Sequence, residues 1–127
     1  MSFRLLTPEI VDLLHADTLN PGDLHGRAGD KSLEGALSRV ESRLAYGLIA
    51  DPCDLAAAYA VALATGHCFN DGNKRTAFHA LRLCLHLHGL RITHGTEEIG
   101  DRIILLAQGR LGEEQLAAYL RSRLVAG

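Results

Sequence analysis

The feature that most constrains the fold is an apolar segment, residues 55–64, which contains no charged side chain. A helix built from it is apolar on every side, and such a helix is either buried among other helices or crosses a membrane. The stretch free of Asp, Glu, Lys and Arg ends at Asn70 and includes Gly66 and His67. It is shorter and more polar than the ~20 apolar residues of a membrane span. We therefore predict a central buried helix and no contact with a membrane.

The composition favours helices along the whole chain. Ala and Leu dominate the 47% hydrophobic content, whereas aromatic residues make up only 5% and Trp is absent. Ala and Leu are helix formers, whereas the scarce aromatic residues are strand formers. The 127 residues correspond to one domain. We predict a single compact all-α domain, residues 1–127, of about six helices near residues 7–17, 31–46, 51–66, 73–88, 96–108 and 112–125, with an extended segment at 90–93.

A long loop, residues 20–29, separates the first two predicted helices. It begins with Asn-Pro-Gly-Asp and contains two further glycines, Gly26 and Gly29. A loop of this length in a small domain is usually functional or mobile. We predict that it forms a flap, near residues 20–30, with a short extended piece at 24–26.

Charge and cysteine content exclude several classes of protein. The net charge is -2, the pI is near 6.4 and the arginines are spread along the chain, so we expect no direct binding to nucleic acid by this chain alone. The three cysteines are an odd number without a CxxC motif, which fits a reducing cytoplasm. No segment resembles a signal peptide. Cytoplasmic localisation is the expectation.

One motif, residues 67–77, carries the chemistry of the chain. Its sequence is His-Cys-Phe-Asn-Asp-Gly-Asn-Lys-Arg-Thr-Ala, and it lies where the buried helix ends and the next helix begins. Gly72 and Asn73 would then stand at a helix N-terminus, where unpaired N–H groups and the helix dipole favour an anion. Lys74 and Arg75 add two cations beside that anion site.

The other polar groups of the motif suit catalysis on a nucleoside triphosphate. Asp71 offers a carboxylate for Mg²⁺, which prefers carboxylate, water and phosphate oxygens. A neutral imidazole at His67 would take a proton from an attacking hydroxyl. Phe69 is expected to point inward and anchor the loop. His79 lies one helical turn beyond the motif's arginine, where a solvated or packing role is favoured over a place at the border of the site. The seven histidines form no HExxH or Cys/His cluster, so a zinc site is not expected.

These eleven residues resemble the H-x-F-x-D-[GA]-N-K-R-T-A signature of the Fic/Doc family. Lys74 makes the chain more similar to the Doc (death-on-curing) toxins than to the adenylylating Fic enzymes, which carry Gly there. The resemblance extends to residues 32–37, residues 43–46 and the Ala-rich third helix, and so covers nearly the whole chain. It implies the helical Fic fold and the toxin of a Phd/Doc-type toxin–antitoxin pair.

The resemblance also implies a role for each motif residue. His67 would be the general base that activates a protein hydroxyl, and Asp71 would coordinate Mg²⁺. Arg75 would bind a terminal or bridging phosphate of ATP. Gly72, Asn73 and Lys74 would form the phosphate-binding nest. The flap would align the target protein by strand-like pairing.

Position 74 separates two reactions within the family. With Lys74 the resemblance implies transfer of the γ-phosphate of ATP to a Thr of elongation factor Tu, which stops translation. Gly72, where the best-known Doc has Ala, leaves open transfer of AMP to a protein hydroxyl. A third alternative is a non-catalytic module that acts with its antitoxin as a repressor complex. Cys68, where Fic proteins commonly have Pro, removes no catalytic group.

The chain lacks the autoinhibitory [ST]xxxE[GN] motif of Fic proteins. One candidate match ends at Glu34-Gly35, but Asp30 stands where the motif requires Ser or Thr. The other begins at Thr93 and has a Glu at the right spacing, but Glu98 follows that Glu where the motif requires Gly or Asn. Restraint in trans by a Phd-like antitoxin is therefore expected.

Overall fold

The computed structural model describes residues 2–93 and 95–127 and has the predicted all-α architecture. Six helices and two short strands follow one another in the order α1 (Pro8–Thr18), α2 (Leu33–Ala45), α3 (Pro52–Thr65), α4 (Asn73–Leu87), β1 (Leu90–Ile92), α5 (Thr96–Ala107), α6 (Glu113–Ser122) and β2 (Leu124–Ala126).

The first three helices begin at side-chain caps. Thr7 accepts a hydrogen bond from the N–H of Ile10 at the start of α1, and the Asp51 carboxylate does the same for Asp54 at the start of α3. Proline occupies the first turn of both helices, where no intrahelical N–H partner is needed. Ser32 caps α2.

Helix α3 is the buried centre of the fold, as its sequence predicted. It packs against α2, α4, α5 and α6. Tyr59 on this helix is fully buried, and its hydroxyl accepts a hydrogen bond of 3.0 Å from the N–H of Leu6. Burial raises the pKa of Tyr59 to about 12, because the phenolate would lose its hydration. Within the described residues, no helix is long and apolar enough to cross a membrane.

The C-terminal segment differs from the sequence prediction. Helix α6 was predicted to run to residue 125, but it ends at Ser122, and Leu124–Ala126 forms a strand antiparallel to β1. Leu124 packs against the core in this arrangement, and Gly127 donates an N–H to the carbonyl of Gly89 at 2.9 Å. Burial of apolar side chains against a partner 34 residues away in sequence outweighs the local helical preference.

The three cysteines, Cys53, Cys68 and Cys84, are free and buried. Burial raises the pKa of Cys84 to about 12 and that of Cys53 to about 11. These thiols therefore pack as small apolar groups and are poor nucleophiles.

Candidate functional site

A sharp turn between α3 and α4 sets the position of the motif. Gly66 ends α3 and donates its N–H to the carbonyl of Ala62 at 3.0 Å. A Cβ at this position would lie 2.4 Å from that same carbonyl oxygen, so only glycine fits. His67 follows with a positive φ of 51° and an exposed side chain. Few residues other than glycine adopt this conformation, and such backbone often marks a functional position.

The loop is held from inside by Phe69, as the sequence predicted. Its ring is buried and stacks on His15 of α1, with ring centroids 3.9 Å apart and planes 8° from parallel. The Asn73 amide forms a reciprocal pair with the backbone of Phe69, donating to its carbonyl at 2.9 Å and accepting from its N–H at 3.1 Å. The side chain of Asn73 therefore fixes the loop, and only its backbone is available to a phosphate.

His15 is a site residue that our sequence analysis missed. It is buried, and its Nε2 lies 2.7 Å from the carbonyl oxygen of Asp71. Because a carbonyl only accepts, Nε2 carries the proton and the ring holds the backbone of the candidate metal ligand. A signal was present in the sequence: His15 lies four residues after Val11, on the buried face of α1.

The N-terminus of α4 offers backbone N–H groups to an anion. Gly72 is its N-cap in the left-handed conformation, with φ 75°, and no side chain in the described part of the chain caps the first turn. Thr76 stabilises that turn, because both its N–H and its hydroxyl donate to the Gly72 carbonyl at 2.9 Å. The first N–H groups of α4 thus remain available, in the direction favoured by the helix dipole.

The structure brings all the predicted site residues together around one cavity of about 550 Å³. His67 and residues 70–75 form most of the polar lining, and much of the apolar lining comes from α5, including Ile103 and Ile104. A cavity with both polar and apolar lining suits a ligand that carries phosphates at one end and a flat apolar group at the other. The candidate residues, His67, Asp71, Gly72, Asn73, Lys74 and Arg75, all line it.

The flap lies against the charged groups of the motif. The Arg75 guanidinium pairs with the Asp23 carboxylate and donates through Nε to the carbonyl of Thr18 at 3.2 Å. The Asp71 carboxylate accepts from Gly72 N at 3.0 Å and, through its other oxygen, from Leu24 N at 3.3 Å. Asp23 is thus a second residue that the sequence did not assign to the site.

Backbone hydrogen bonds join the flap to the motif loop. Arg27 forms an antiparallel bridge with Phe69, and the N–H of Asn70 donates to the Gly26 carbonyl at 3.1 Å. The Asn70 side chain donates to the carbonyl of His25 at 2.9 Å. The extended piece was predicted at residues 24–26, and the bridge itself forms one residue later.

His79 is exposed and does not line this cavity, which agrees with a solvated or packing role rather than a place at the border of the site. It lines a separate cavity of about 540 Å³, together with Arg82, His86 and Arg91. Burial lowers the pKa of His79, and the neighbouring Arg82 lowers it further. The i+4 spacing from Arg75 puts His79 on a neighbouring part of the α4 surface, where residues of α1, β1 and α5 line the second cavity with it.

The groups around Asp71 suit a metal ion that is bound jointly by the protein and a phosphate, rather than one bound by protein side chains alone. Among the described residues, no group of three or more His, Cys, Asp or Glu is close enough to hold an ion. Each Asp71 oxygen accepts one N–H, and a carboxylate has about four acceptor positions, so two remain for a ligand. One carboxylate with waters and phosphate oxygens is the usual coordination of Mg²⁺ in such sites.

Comparison with known proteins agrees with this geometry. The model of the Fic/DOC family matches residues 6–85, which include α1, the flap, α2, α3 and nearly all of α4. The chain belongs to the Fic/DOC family. It is also 35% identical, over 119 residues, to the protein kinase doc of Escherichia phage P1, with 93% of this chain and 94% of that protein covered.

Proposed function

We propose that this chain is a Doc-type toxin that transfers the γ-phosphate of ATP to a Ser or Thr hydroxyl of a translation protein. The observation that carries the proposal is the single cavity in which His67, Asp71, Lys74 and the uncapped N-terminus of α4 meet. The similarity to a relative named as a protein kinase supports the same reaction.

His67 is the proposed general base. Its side chain lines the cavity and is exposed, so a hydroxyl of another protein has access to it. As the hydroxyl oxygen bonds to the γ-phosphorus, the bond from that phosphorus to the bridging oxygen breaks, and ADP leaves. The proton of the hydroxyl passes to the imidazole, a side chain that commonly acts as a general base near neutral pH.

The N-terminus of α4 and the motif cations would hold the phosphates. The N–H groups of the first turn point in the direction that the helix dipole favours for an anion, and Arg75 would grip a phosphate with two N–H groups. Asp71 would hold Mg²⁺, which neutralises charge on the phosphate oxygens when bound. His15 keeps the backbone of Asp71 in place through its 2.7 Å hydrogen bond.

Lys74 favours phosphoryl transfer over AMP transfer. It is exposed on the first turn of α4 and lines the cavity, so its side chain takes up room that a glycine would leave free. We propose that this restricts the nucleotide to the pose that presents the γ-phosphate to His67.

The proposed target is elongation factor Tu, and the proposed regulator is a Phd-like antitoxin, both in the cytoplasm. The target follows from the resemblance to Doc toxins, and targets diverge more readily than active sites do. The antitoxin follows from the absence of the Fic autoinhibitory motif in the sequence.

Transfer of AMP is the second candidate function, and Gly72 favours it. This residue adopts a positive φ without a side chain, and a Cβ at this position would lie 3.3 Å from Arg75 Nη2, so glycine leaves that guanidinium unhindered. The third candidate, a non-catalytic repressor module, is disfavoured because His67, Asp71 and Arg75 are all present in one cavity.

Labelled ATP distinguishes the three candidates. Purified protein, Mg²⁺ and a bacterial lysate containing elongation factor Tu are incubated with ATP labelled at the γ-phosphate or at the α-phosphate. We expect label from the γ-phosphate only, in a band of the size of elongation factor Tu, and no label with His67→Ala. Label from the α-phosphate would establish AMP transfer, and no label from either would favour the repressor module.

A further inference from the structure

An acidic residue of the flap forms an ion pair with the arginine that the proposed function assigns to phosphate binding. The Asp23 carboxylate pairs with the Arg75 guanidinium, 52 residues away in sequence. The Asp23 side chain is largely buried by this contact, with 20% exposed, and the Arg75 side chain is 41% exposed. The N–H of Asn20 donates to the same Asp23 oxygen at 2.8 Å, which fixes the carboxylate in this position.

The next residue of the flap covers the candidate metal ligand. The N–H of Leu24 donates to Asp71 Oδ2 at 3.3 Å. Asp23 and Leu24 are adjacent, so a movement that withdraws the carboxylate from Arg75 also withdraws the N–H from Asp71. The phosphate-binding cation and the carboxylate would thus be released together.

Arg75 would remain in position after the flap moves. Its Nε donates to the carbonyl of Thr18, at the end of α1, and this contact does not involve Asp23. The Thr18 carbonyl therefore holds the guanidinium at Nε, while the Asp23 carboxylate covers its other side. This arrangement is expected when a competitor can leave and the binding group stays in place.

We propose that Asp23 is an intrinsic competitor of phosphate at Arg75, and that a polyphosphate must displace it before Arg75 and Asp71 become available. The proposal rests on the proposed function for the identity of its ligand, a nucleoside triphosphate. It makes Asp23 a residue that sets nucleotide affinity, because the apparent affinity falls with the fraction of molecules in which the flap is closed.

Direct binding of inorganic tripolyphosphate tests the competition without requiring any catalysis. Titration calorimetry is carried out on the wild type, Asp23→Asn and Asp30→Asn, first without and then with Mg²⁺. Asparagine keeps the shape of the side chain and removes the charge that competes. Asp30 is an exposed residue in the same connection between α1 and α2, so Asp30→Asn controls for the change of net charge.

We expect Asp23→Asn to bind tripolyphosphate about three- to five-fold more tightly than either other protein, which is the upper range for a partly exposed ion pair. Amide exchange of residues 19–27 in the wild type should accelerate when tripolyphosphate binds, because Leu24 N loses its acceptor. Equal affinities in all three proteins would overturn the proposal. Weaker binding by Asp23→Asn would also overturn it, and would show that Asp23 assists the ligand or its metal.

The outcomes separate this proposal from the proposed function. Tighter binding by Asp23→Asn without transfer of label from ATP would support the competitor and contradict the kinase. Transfer of label from ATP, with the same tripolyphosphate affinity in Asp23→Asn as in the wild type, would support the kinase and contradict the competitor. If none of the three proteins binds tripolyphosphate, the proposal that Asp23 competes with phosphate is overturned.

Discussion

At the scale of single residues, the site depends on two neighbours at the end of α3. Gly66 allows the backbone to approach the Ala62 carbonyl, and His67 then turns the chain outward with φ 51°. The candidate base is exposed for this reason, although it directly follows a buried helix. The backbone conformation and the chemistry of the site are therefore coupled at adjacent positions.

Gly66→Ala should damage both stability and activity. The added Cβ meets the Ala62 carbonyl oxygen at 2.4 Å, so the backbone must shift. We expect a loss of about 1–3 kcal/mol in the free energy of unfolding, measured by urea denaturation, and a larger proportional loss of label transfer as His67 moves. Gly29→Ala is the matched control, because a Cβ at Gly29 meets no atom within 4 Å. Similar stability of the two variants would refute the steric argument.

Lys74→Gly tests the role of the lysine in the choice of reaction. If the side chain restricts the nucleotide pose, this variant should lose phosphoryl transfer and gain the capacity for AMP transfer, as measured with the two labelled forms of ATP. Glycine near a helix start also costs stability, up to about 1 kcal/mol. Lys74→Ala removes the side chain without that backbone effect. Unchanged phosphoryl transfer in Lys74→Gly would show that the pose argument is wrong.

At the scale of elements, the flap is a loop held by side chains at its far end. Arg27 donates to Asp12 of α1 at 2.6 and 3.0 Å and to Glu34 of α2 at 2.6 Å. These contacts fix one end of the flap, while the end near residue 23 rests on the motif. A segment fixed at one end can open at the other with few hydrogen bonds broken.

Acidification should loosen the fixed end of the flap. The hydrogen bond from Arg27 holds the pKa of Glu34 below its ordinary value of 4.5. A lowered pKa means that the contact contributes fully above pH 4.5 and is lost as the pH falls through the lowered value. We expect protection factors for amide exchange in the flap to fall in that range.

The Glu34→Gln variant should abolish this pH dependence, because the glutamine does not titrate. Glu114→Gln, at an exposed position of α6, provides the control. Persistence of the same acid transition in Glu34→Gln would assign it to another group.

At the scale of the whole molecule, α3 is the support against which α4 is positioned. Their buried faces are rich in alanine, including Ala57 and Ala60 on α3 and Ala77 and Ala80 on α4. Small side chains allow two helices to approach closely. The N-terminus of α4 and the end of α3 bound the same cavity, so the distance between these helices determines the geometry of the site.

Ala80→Leu should therefore affect stability and activity together. The larger side chain has no room at a fully buried position, and we expect a loss of about 1–3 kcal/mol in the free energy of unfolding. Label transfer should fall in the protein that remains folded, because α4 is displaced from α3. Ala118→Leu adds the same volume at an exposed position of α6 and should leave both measurements nearly unchanged. Full activity in folded Ala80→Leu would contradict the link between helix packing and the site.

The helices, apart from the end of α6, and the position of the motif follow from the amino-acid sequence alone. Thr7, Asp51 and the glycine at position 66 act through contacts with residues only three or four positions away, and such local contacts can be inferred from spacing. The apolar run of α3 likewise required burial on all sides. The candidate roles of His67 and Asp71 could also be proposed from the sequence, because the motif is contiguous.

Which distant groups meet these residues depends on the packing of the folded chain. His15 contacts the Asp71 backbone across 56 positions, and Asp23 pairs with Arg75 across 52. The conversion of residues 124–126 to a strand has the same origin, since β1 supplies both its hydrogen bonds and its apolar cover. Such contacts depend on how whole helices pack, and the free energy of that packing is distributed over many side chains rather than encoded in one motif.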